Sequence, residues 1–428
     1  MTIISTTALD GWIAEVQEKL SQRTKTQAMF ATCIRNTIET TMKRQSDGTA
    51  FVITGDIPAM WLRDSAAQAR PYLLLASRDP EVEKLLLGIV ERQLQFVLHD
   101  PYANAFNESP SGQGHQNDLT EMTPWIWERK YEIDSLCYPI QLAYLVWKNT
   151  GQTSQFNNTF IAAADAIIKL WIKEQNHEEQ SSYRFERSDC PPSDTLTREG
   201  KGEPTAPTGM TWSAFRPSDD ACQYGYLVPS NMFAVVVLGY LAEIASSVLG
   251  DAELQARAEA LAAEIDAGIQ KHGIVEHREY GKIFAYETDG LGNYNLMDDA
   301  NVPSLLSLPY LGYCDEDDPI YVNTRRFILS EGNPYFFKGS AAEGIGSPHT
   351  PHHYIWHIAL AMQGLTAPDQ QEKLRLLDLL EQTDAGKGMM HEGFNADRPE
   401  EFTREWFSWA NMMYCELVLD ICDMRVNK

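Results

Sequence analysis

A helical hydrophobic periodicity covers most of the chain and constrains the fold more than any other feature. Apolar residues recur at spacings of three and four, the period of an amphipathic helix. The periodicity predicts helices at 8–21, 25–45, 64–78, 80–98, 131–149, 156–176, 229–248, 251–271, 299–310, 318–330, 350–363, 369–384 and 402–424. Strand signals are few: "AFVIT" (50–54) predicts a strand, and "IVEHREYGKIFAYETDG" predicts a hairpin around Tyr280–Gly281.

The predicted helices alternate with loops in about six pairs, without a sequence repeat of the solenoid kind. No long Ser-, Pro- or Gly-rich linker divides the chain, so we predict one domain over 1–428. The layout favours an all-α fold in which helix pairs form one closed ring. Small β-hairpin elements lie in the loops, and we expect the loops to gather at one end of the ring.

Charge and cysteine usage exclude several classes of function. The net charge of −25 disfavours binding to nucleic acid or to an anionic membrane surface. No apolar run approaches the ~20 residues of a membrane span, and no secretory signal is recognisable at the N-terminus. Seven scattered cysteines without a C-x-x-C motif indicate a reducing, cytoplasmic location. The acidity is compatible with a monomer.

The stretch "GDIPAMWLRDSAAQ" places Trp61, Arg63 and Asp64 side by side before an apolar run. One interpretation is a helix start, because Ser65 and Gln68 have the spacing of a capping box. The other is a polar clamp on a sugar, with the indole ring as an apolar wall. The residues alone leave both interpretations open.

Two further stretches carry carboxylates in apolar surroundings. In "FRPSDDACQYGY", burial would raise the pKa of Asp219 or Asp220, as a general acid requires, although an Arg216–Asp219 ion pair is an equal alternative. In "MMHEGFN", Glu392 is suited either to catalysis or to hydrogen bonding within the loop. The stripe that follows it is interpreted as core and comprises Trp406, Trp409 and Met413.

Other candidates are paired acids and a run of histidines. In "MDDANVPSLL", one of Asp298 and Asp299 is explained as a helix cap, and the pair exceeds what a cap needs. His349, His353 and His357 have the i, i+4, i+8 spacing of metal ligands on one helix, without an H-E-x-x-H motif. We favour core or sugar-binding histidines over zinc.

The loops together combine carboxylate acceptors with aromatic faces, as a carbohydrate pocket requires. The stretch "NDLTEMTPWIWERKYEID" is a further example and contributes Glu121, Trp125, Trp127, Glu132 and Asp134. Competing functions are a histidine-based sugar epimerase or isomerase and a carbohydrate-binding protein without catalysis. The second alternative leaves Asp220 and Glu392 without a purpose.

Four separated motifs, "DIPAMWLRDSAAQ", "RPSDDAC", "MDDANVPSLL" and "MHEGFN…FTREWFSWAN", carry a resemblance to a known family. Over residues 8–424 the chain resembles glycoside hydrolase family 125, the metal-independent exo-α-1,6-mannosidases. The resemblance implies an (α/α)6 barrel, no cofactor or metal, and hydrolysis of α-1,6-linked mannosides with inversion. It also implies a role in N-glycan degradation. Another inverting glycosidase on the same barrel is the nearest alternative.

The same resemblance implies roles for individual residues. Asp220 would be the general acid and Glu392 the general base. Arg63, Asp64 and Asp299 would hold the terminal mannose. Further expected members of the pocket are Trp61, Glu121, Arg216, His349 and His353.

Overall fold

The computed structural model describes residues 6–428 and consists mainly of helices. The helices are α1 (Thr6–Lys19), α2 (Thr24–Asn36), α3 (Leu62–Ala69), α4 (Leu73–Ala76), α5 (Pro80–His99), α6 (Ile133–Thr150), α7 (Asn158–Glu174), α8 (His177–Gln180), α9 (Thr197–Gly200), α10 (Val228–Ile244), α11 (Ala252–His272), α12 (Leu308–Leu311), α13 (Pro319–Ile328), α14 (His357–Leu365), α15 (Gln370–Gln382) and α16 (Ser408–Ile421).

Burial separates these helices into an inner and an outer ring. Nearly all residues of α3, α6, α14 and α16 are buried, whereas α5, α7, α11, α13 and α15 bury one face only. Among the inner helices, α6 packs against α3 and α10, and α16 packs against both α14 and α3. Since the last inner helix contacts the first, the ring closes. The fold is the predicted (α/α)6 barrel.

Short antiparallel strands form six small sheets in the loops. The strands are β1 (Met42–Arg44), β2 (Ala50–Val52), β3 (Met60–Trp61), β4 (Ala105–Phe106), β5 (Ile126–Glu128), β6 (Tyr226–Leu227), β7 (Ile274–His277), β8 (Gly281–Phe284), β9 (Glu287–Thr288), β10 (Tyr294–Asn295), β11 (Phe336–Lys338), β12 (Glu343–Ile345), β13 (Tyr354–Trp356), β14 (Gly393–Asn395) and β15 (Phe402–Thr403). The pairing of β7 with β8 confirms the predicted hairpin.

The strands lead directly into inner helices, which brings their N-termini to one end of the barrel. Strand β3 is followed at once by α3, β6 by α10, and β13 by α14. These helix starts and their loops surround the same opening. The fold therefore gathers side chains from distant parts of the sequence, as the predicted layout requires.

Backbone contacts at this opening join the first and last helix pairs. The N–H of Ser408 donates to the carbonyl of Thr54 at 3.0 Å, and Gly55 forms a bridge with Phe407. Gly55 has a φ of +122°, and a Cβ there would lie 2.5 Å from the carbonyl oxygen of Trp406. Only glycine fits this close approach.

Two predicted helix starts, at 350 and 402, are wrong because strands and loops occupy the first residues, and the capping interpretation of Ser65 is wrong as well. Helix α3 begins at Leu62, so Ser65 lies inside it and donates to the carbonyl of Leu62 instead of capping the helix. Helix α14 begins at His357, after β13, and α16 begins at Ser408, after β15. The extended conformation of these entry segments aims side chains at the opening.

The predicted helix at 299–310 is also largely wrong. Only one turn, α12, forms in this region, since the Asp298 carboxylate accepts from the N–H groups of Leu305 and Leu306 at 2.8 and 3.0 Å. These bonds hold the chain in a compact loop. Asp298 therefore anchors backbone, as the capping interpretation proposes for one member of the pair.

One segment, Val228–Leu249, is long and apolar enough to cross a membrane by length and composition. The expectation that no apolar run reaches this length is wrong for it. The segment comprises α10 and the π-helical turn Ala245–Leu249, and it packs between α6 and α11. A central position in a barrel explains its apolar character.

Candidate active site

A pocket opens at the end of the barrel where the strands enter the inner helices. Its lining comes from five separate parts of the chain and combines aromatic rings with charged groups. The lining residues are Thr54, Ile57, Trp61, Arg63, Asp64, Pro217, Ser218, Asp219, Asn301, His349, Trp356, Glu392, Arg404, Phe407 and Trp409. Trp409 belongs to the stripe interpreted as core, so this side chain serves both the core and the pocket.

A buried guanidinium surrounded by carboxylates forms one side of the pocket. The Arg63 side chain is 3% exposed, and its Nη1 donates to Glu132 at 2.6 Å and to Asp134 at 3.1 Å. Its Nη2 donates to Asp219 at 3.2 Å, and its Nε lies 3.6 Å from Asp64. One cation thus faces four carboxyl groups, which leaves a local excess of negative charge.

The four carboxyl groups around Arg63 differ in the direction of their pKa shifts. Burial raises the pKa of Asp64 and of Asp134 to about 6 each, and the charge of Arg63 only partly offsets it. Burial also raises the pKa of Glu132 well above its ordinary value. Asp219 differs: burial acts to raise its pKa, but the charges of Arg63 and Lys130 outweigh burial and lower it. Asp219 is therefore an acceptor, and a poor proton donor at neutral pH.

Asp219 and Arg404, both in the pocket wall, have backbone conformations that are rare outside glycine. Their φ angles are +67° and +44°. Such strain persists only where the surrounding structure holds it, and it concentrates at functional sites. In Asp219 it directs the carboxylate towards Arg63 and Asn104.

Asp220 lies directly behind the pocket wall, with 2% of the residue exposed. Its Oδ1 lies 3.1 Å from Nδ1 of His349, which lines the pocket. Its Oδ2 is buried and has no hydrogen-bond partner within residues 6–428. An unpartnered buried carboxyl oxygen beside a pocket is suited to carry a proton for a ligand.

Glu392 lines the pocket from the loop before β14 and is 6% exposed. Its Oε1 lies 3.5 Å from Nη1 of Arg404. Asp56 binds the Nε of Arg404 through both carboxylate oxygens at 3.1 Å, and the guanidinium lies 4.3 Å from the ring centre of Phe407. The position of the guanidinium beside Glu392 is therefore fixed by Asp56 and Phe407.

Asp299 is fully buried behind Ser218 and Asn301, which line the pocket. Its carboxylate accepts from Ser218 Oγ at 2.8 Å and from Asn301 Nδ2 at 3.3 Å. Burial raises its pKa, and the neighbouring charge of Arg216 opposes the rise. Asp299 thus holds two lining side chains in place, although the resemblance implies a position in the mannose pocket itself.

Three predicted pocket residues lie outside the lining. The Glu121 side chain is 87% exposed in an outer loop and contacts Arg129. Arg216 is buried behind the wall, because its Nε pairs with Glu287 at 2.6 Å. His353 turns outward and contacts Asp397 at 3.1 Å. For these three residues the predicted placement is wrong, whereas Trp61, Arg63, Asp64 and His349 do line the pocket.

The histidine run does not form a metal-binding helix face. His349 and His353 precede β13, while His357 begins α14 and is buried against the carbonyl of His391 and Thr383 Oγ1. Within residues 6–428, no cluster of three His, Cys, Asp or Glu side chains is arranged to hold a metal ion. The zinc alternative therefore loses its geometric basis.

Comparison with known proteins identifies the family. The family model for the metal-independent alpha-mannosidases matches residues 23–419. The chain belongs to glycoside hydrolase family 125. This mannosidase is 41% identical to the meiotically up-regulated gene 157 protein of Schizosaccharomyces pombe, over 96% of this chain and 85% of that protein.

Solved structures agree with this assignment. A metal-independent alpha-mannosidase structure from Streptococcus pneumoniae, a non-productive complex with α-1,6-mannobiose, is 53% identical. It matches with a TM-score of 0.98 over 99% of this chain and 100% of that chain. A wild-type glycosidase at 12% identity and a TM-score of 0.56, over 96% of this chain and 98% of that chain, shares the fold alone. This mannosidase is therefore a glycoside hydrolase on an (α/α)6 barrel.

Sequence reasoning does not single out Arg404 or the roles of Glu132 and Asp134. Arg404 lies within the stretch "FTREWFSWAN", but nothing in that stretch assigns it a role, and the pairing of β14 with β15 brings it beside Glu392. The two acids precede and begin α6, and their partner Arg63 lies about 70 residues away. The sequence signal for a buried ion cluster is the pair Arg63–Asp64 within an apolar stretch.

Replacing the central cation tests the ion cluster. We expect Arg63→Met to lower the free energy of unfolding by about 3–5 kcal/mol at pH 7.5, because buried carboxylates lose their counter-charge. In the variant the pKa values of these carboxyl groups in the folded protein rise further above their values in the unfolded chain. As the pH falls towards 5 the groups take up protons, so the loss of unfolding free energy becomes smaller. Urea denaturation at both pH values measures this.

The matched control is Arg78→Met, at an exposed Arg paired with Glu15. Exposed pairs contribute about 0–1 kcal/mol, so its effect is small at both pH values. Equal losses for the two variants would show that the cluster does not stabilise the pocket.

Proposed function

We propose that this mannosidase removes terminal α-1,6-linked mannose from the non-reducing end of oligosaccharides, with inversion at the anomeric carbon. The observation that carries the proposal is the meeting of two carboxyl groups, Asp220 and Glu392, at one pocket. They are 172 positions apart in the sequence, and His349, which contacts Asp220 at 3.1 Å, lines the same pocket as Glu392. The α-1,6-mannobiose complex of the similar S. pneumoniae enzyme supports the choice of substrate.

The two groups have different surroundings that suit different roles. Asp220, with its buried and unpartnered Oδ2, donates a proton to the glycosidic oxygen. Glu392, which lies beside Arg404, accepts a proton from the water that attacks the anomeric carbon from the opposite face. Inverting glycosidases place such groups about 6.5–9.5 Å apart, which leaves room for this water.

The remaining lining residues bind the sugar ring. Arg63, Asp64, Asp219 and Asn301 offer donors and acceptors to its hydroxyl groups. Aromatic rings of the wall pack against its C–H faces; they belong to Trp61, Trp356, Phe407 and Trp409. Because the Arg63 ion cluster closes one side of the pocket, a chain end fits better than the middle of a polysaccharide. This favours exo-action.

The proposal also covers the oligomeric state, the cellular location and the partners of the enzyme. We propose a monomeric, single-domain cytoplasmic enzyme that acts in N-glycan degradation and binds neither nucleic acid nor membranes. All seven cysteines lie within the described residues and none forms a disulfide there, which supports a reducing compartment. The net charge of −25 disfavours polyanions. The S. pneumoniae relative is described in connection with the processing of N-linked glycans.

A disaccharide panel tests the substrate. We expect mannose release from α-1,6-mannobiose to be faster than from α-1,2- or α-1,3-mannobiose, and α-1,6-linked glucobiose to resist hydrolysis. Quantifying the free monosaccharide gives the four rates. Preferred cleavage of the glucoside would support the other inverting glycosidase, and sugar binding without any hydrolysis would support a non-catalytic role.

Two substitutions test the catalytic pair. We expect Asp220→Asn and Glu392→Gln each to lower kcat on α-1,6-mannobiose by about 10²–10⁴-fold, the usual contribution of an acid or base. A 2,4-dinitrophenyl α-mannoside separates the roles, because its leaving group needs no proton. On this substrate Asp220→Asn recovers most activity, and Glu392→Gln does not.

The control for both variants is Asp317→Asn, an exposed carboxylate far from the pocket. Thermal melting shows whether each protein is folded. A folded variant at 220 or 392 with wild-type turnover would remove that residue from its proposed role.

A further inference from the structure

Asp220 is nearly sealed from solvent, which limits how it can regain a proton. The carboxyl group is 3% exposed, and within the described chain its only side-chain hydrogen-bond partner is His349, at 3.1 Å. The His349 side chain is 36% exposed and lines the pocket. The imidazole therefore lies between the buried carboxyl group and the solvent of the open pocket.

After an inverting reaction the general acid is deprotonated and the general base is protonated, the reverse of the starting state. In each turnover Asp220 gives a proton to the leaving group, and Glu392 takes one from water. Before the next turnover Glu392 must lose a proton and Asp220 must gain one. Glu392 lines the pocket and exchanges with its water, but Asp220 needs a carrier.

We propose that His349 is this carrier and reloads Asp220 with a proton after each turnover. The inference rests on the proposed acid and base roles and adds a separate step to them. In that step the Nδ1–H bond of the imidazolium breaks and an O–H bond forms on Asp220. The imidazole then takes a replacement proton from pocket water, and Glu392 releases its proton to the same water, so protons balance.

The charges around His349 suit this task. Burial acts to lower the pKa of its imidazole, but the hydrogen bond and charge of Asp220, with the charges of Glu392 and Asp219, raise it to about 9. The two cations of the pocket wall, Arg63 and Arg404, are paired with carboxylates of their own. At neutral pH the ring is therefore protonated whenever Asp220 is ionised, which is the state that bond cleavage leaves.

The position of this step in the cycle makes it measurable. Reloading follows bond cleavage and product release, so its loss lowers kcat and leaves kcat/KM nearly unchanged. A residue that binds the sugar or orients Asp220 before cleavage would instead lower kcat/KM. His349 as a carrier and His349 as a binding group thus predict opposite results.

His349→Asn is the informative substitution. The asparagine amide places an N–H group near the position of Nδ1, so it still donates to Asp220, but it cannot pass on a proton. The matched control is His353→Asn, because His353 lies outside the pocket lining and contacts Asp397. Thermal melting confirms that both proteins are folded.

Steady-state kinetics on α-1,6-mannobiose in dilute buffer tests the inference. We expect His349→Asn to lower kcat by at least roughly tenfold while kcat/KM changes less than about threefold. Added imidazole, a soluble proton carrier, should restore kcat in proportion to its concentration. The His353→Asn variant should match the wild type and gain nothing from imidazole.

Two results would overturn the inference: a parallel fall of kcat and kcat/KM without rescue, or unchanged kinetics in His349→Asn. Both presuppose a wild-type enzyme that hydrolyses the substrate and loses activity in Asp220→Asn. A wild-type enzyme without that behaviour would instead refute the proposed function, so the two failures are distinguishable.

Discussion

The pocket depends on one buried cation. Arg63 joins α3 to the start of α6 and to the loop at 217–220, through Glu132, Asp134 and Asp219. Removing one partner of a buried ion pair leaves a charge that costs about 3–5 kcal/mol. The guanidinium therefore ties three segments together at the mouth of the barrel and helps to hold the strained backbone at Asp219.

This arrangement also separates the two adjacent aspartates of the 217–220 loop. Asp219 faces the cation, and the resulting low pKa keeps it an acceptor for sugar hydroxyls. Asp220 lies behind the wall, where His349 is its only side-chain hydrogen-bond partner among residues 6–428. Neighbouring residues of one chemical type thereby acquire different functions through their surroundings. Glu392 has different neighbours: it lies beside Arg404, and Arg404 is paired with Asp56.

Local patterns predict the barrel because helical periodicity and alternation with loops are properties of short segments. The hairpin at 274–284 and the cap of α5, where Asp79 accepts from the N–H of Glu81, follow from local rules as well. The starts of α14 and α16 do not, because the pairing of β13, β14 and β15 decides them. For the same reason motif resemblance assigns roles to Arg63 and Glu392 but none to Arg404, although Arg404 lies within a quoted motif. Glu121 and His353 share the composition of pocket residues, yet their loops turn them outward.

The central claim is that Asp220 and Glu392 act on one sugar ring from opposite sides, with a water molecule between Glu392 and the anomeric carbon. Proton NMR of α-1,6-mannobiose during the first minutes of hydrolysis tests this most directly, before mutarotation mixes the anomers. The account predicts that β-mannose appears first and α-mannose only later. Initial release of α-mannose would mean that configuration is retained, and it would contradict the assigned roles.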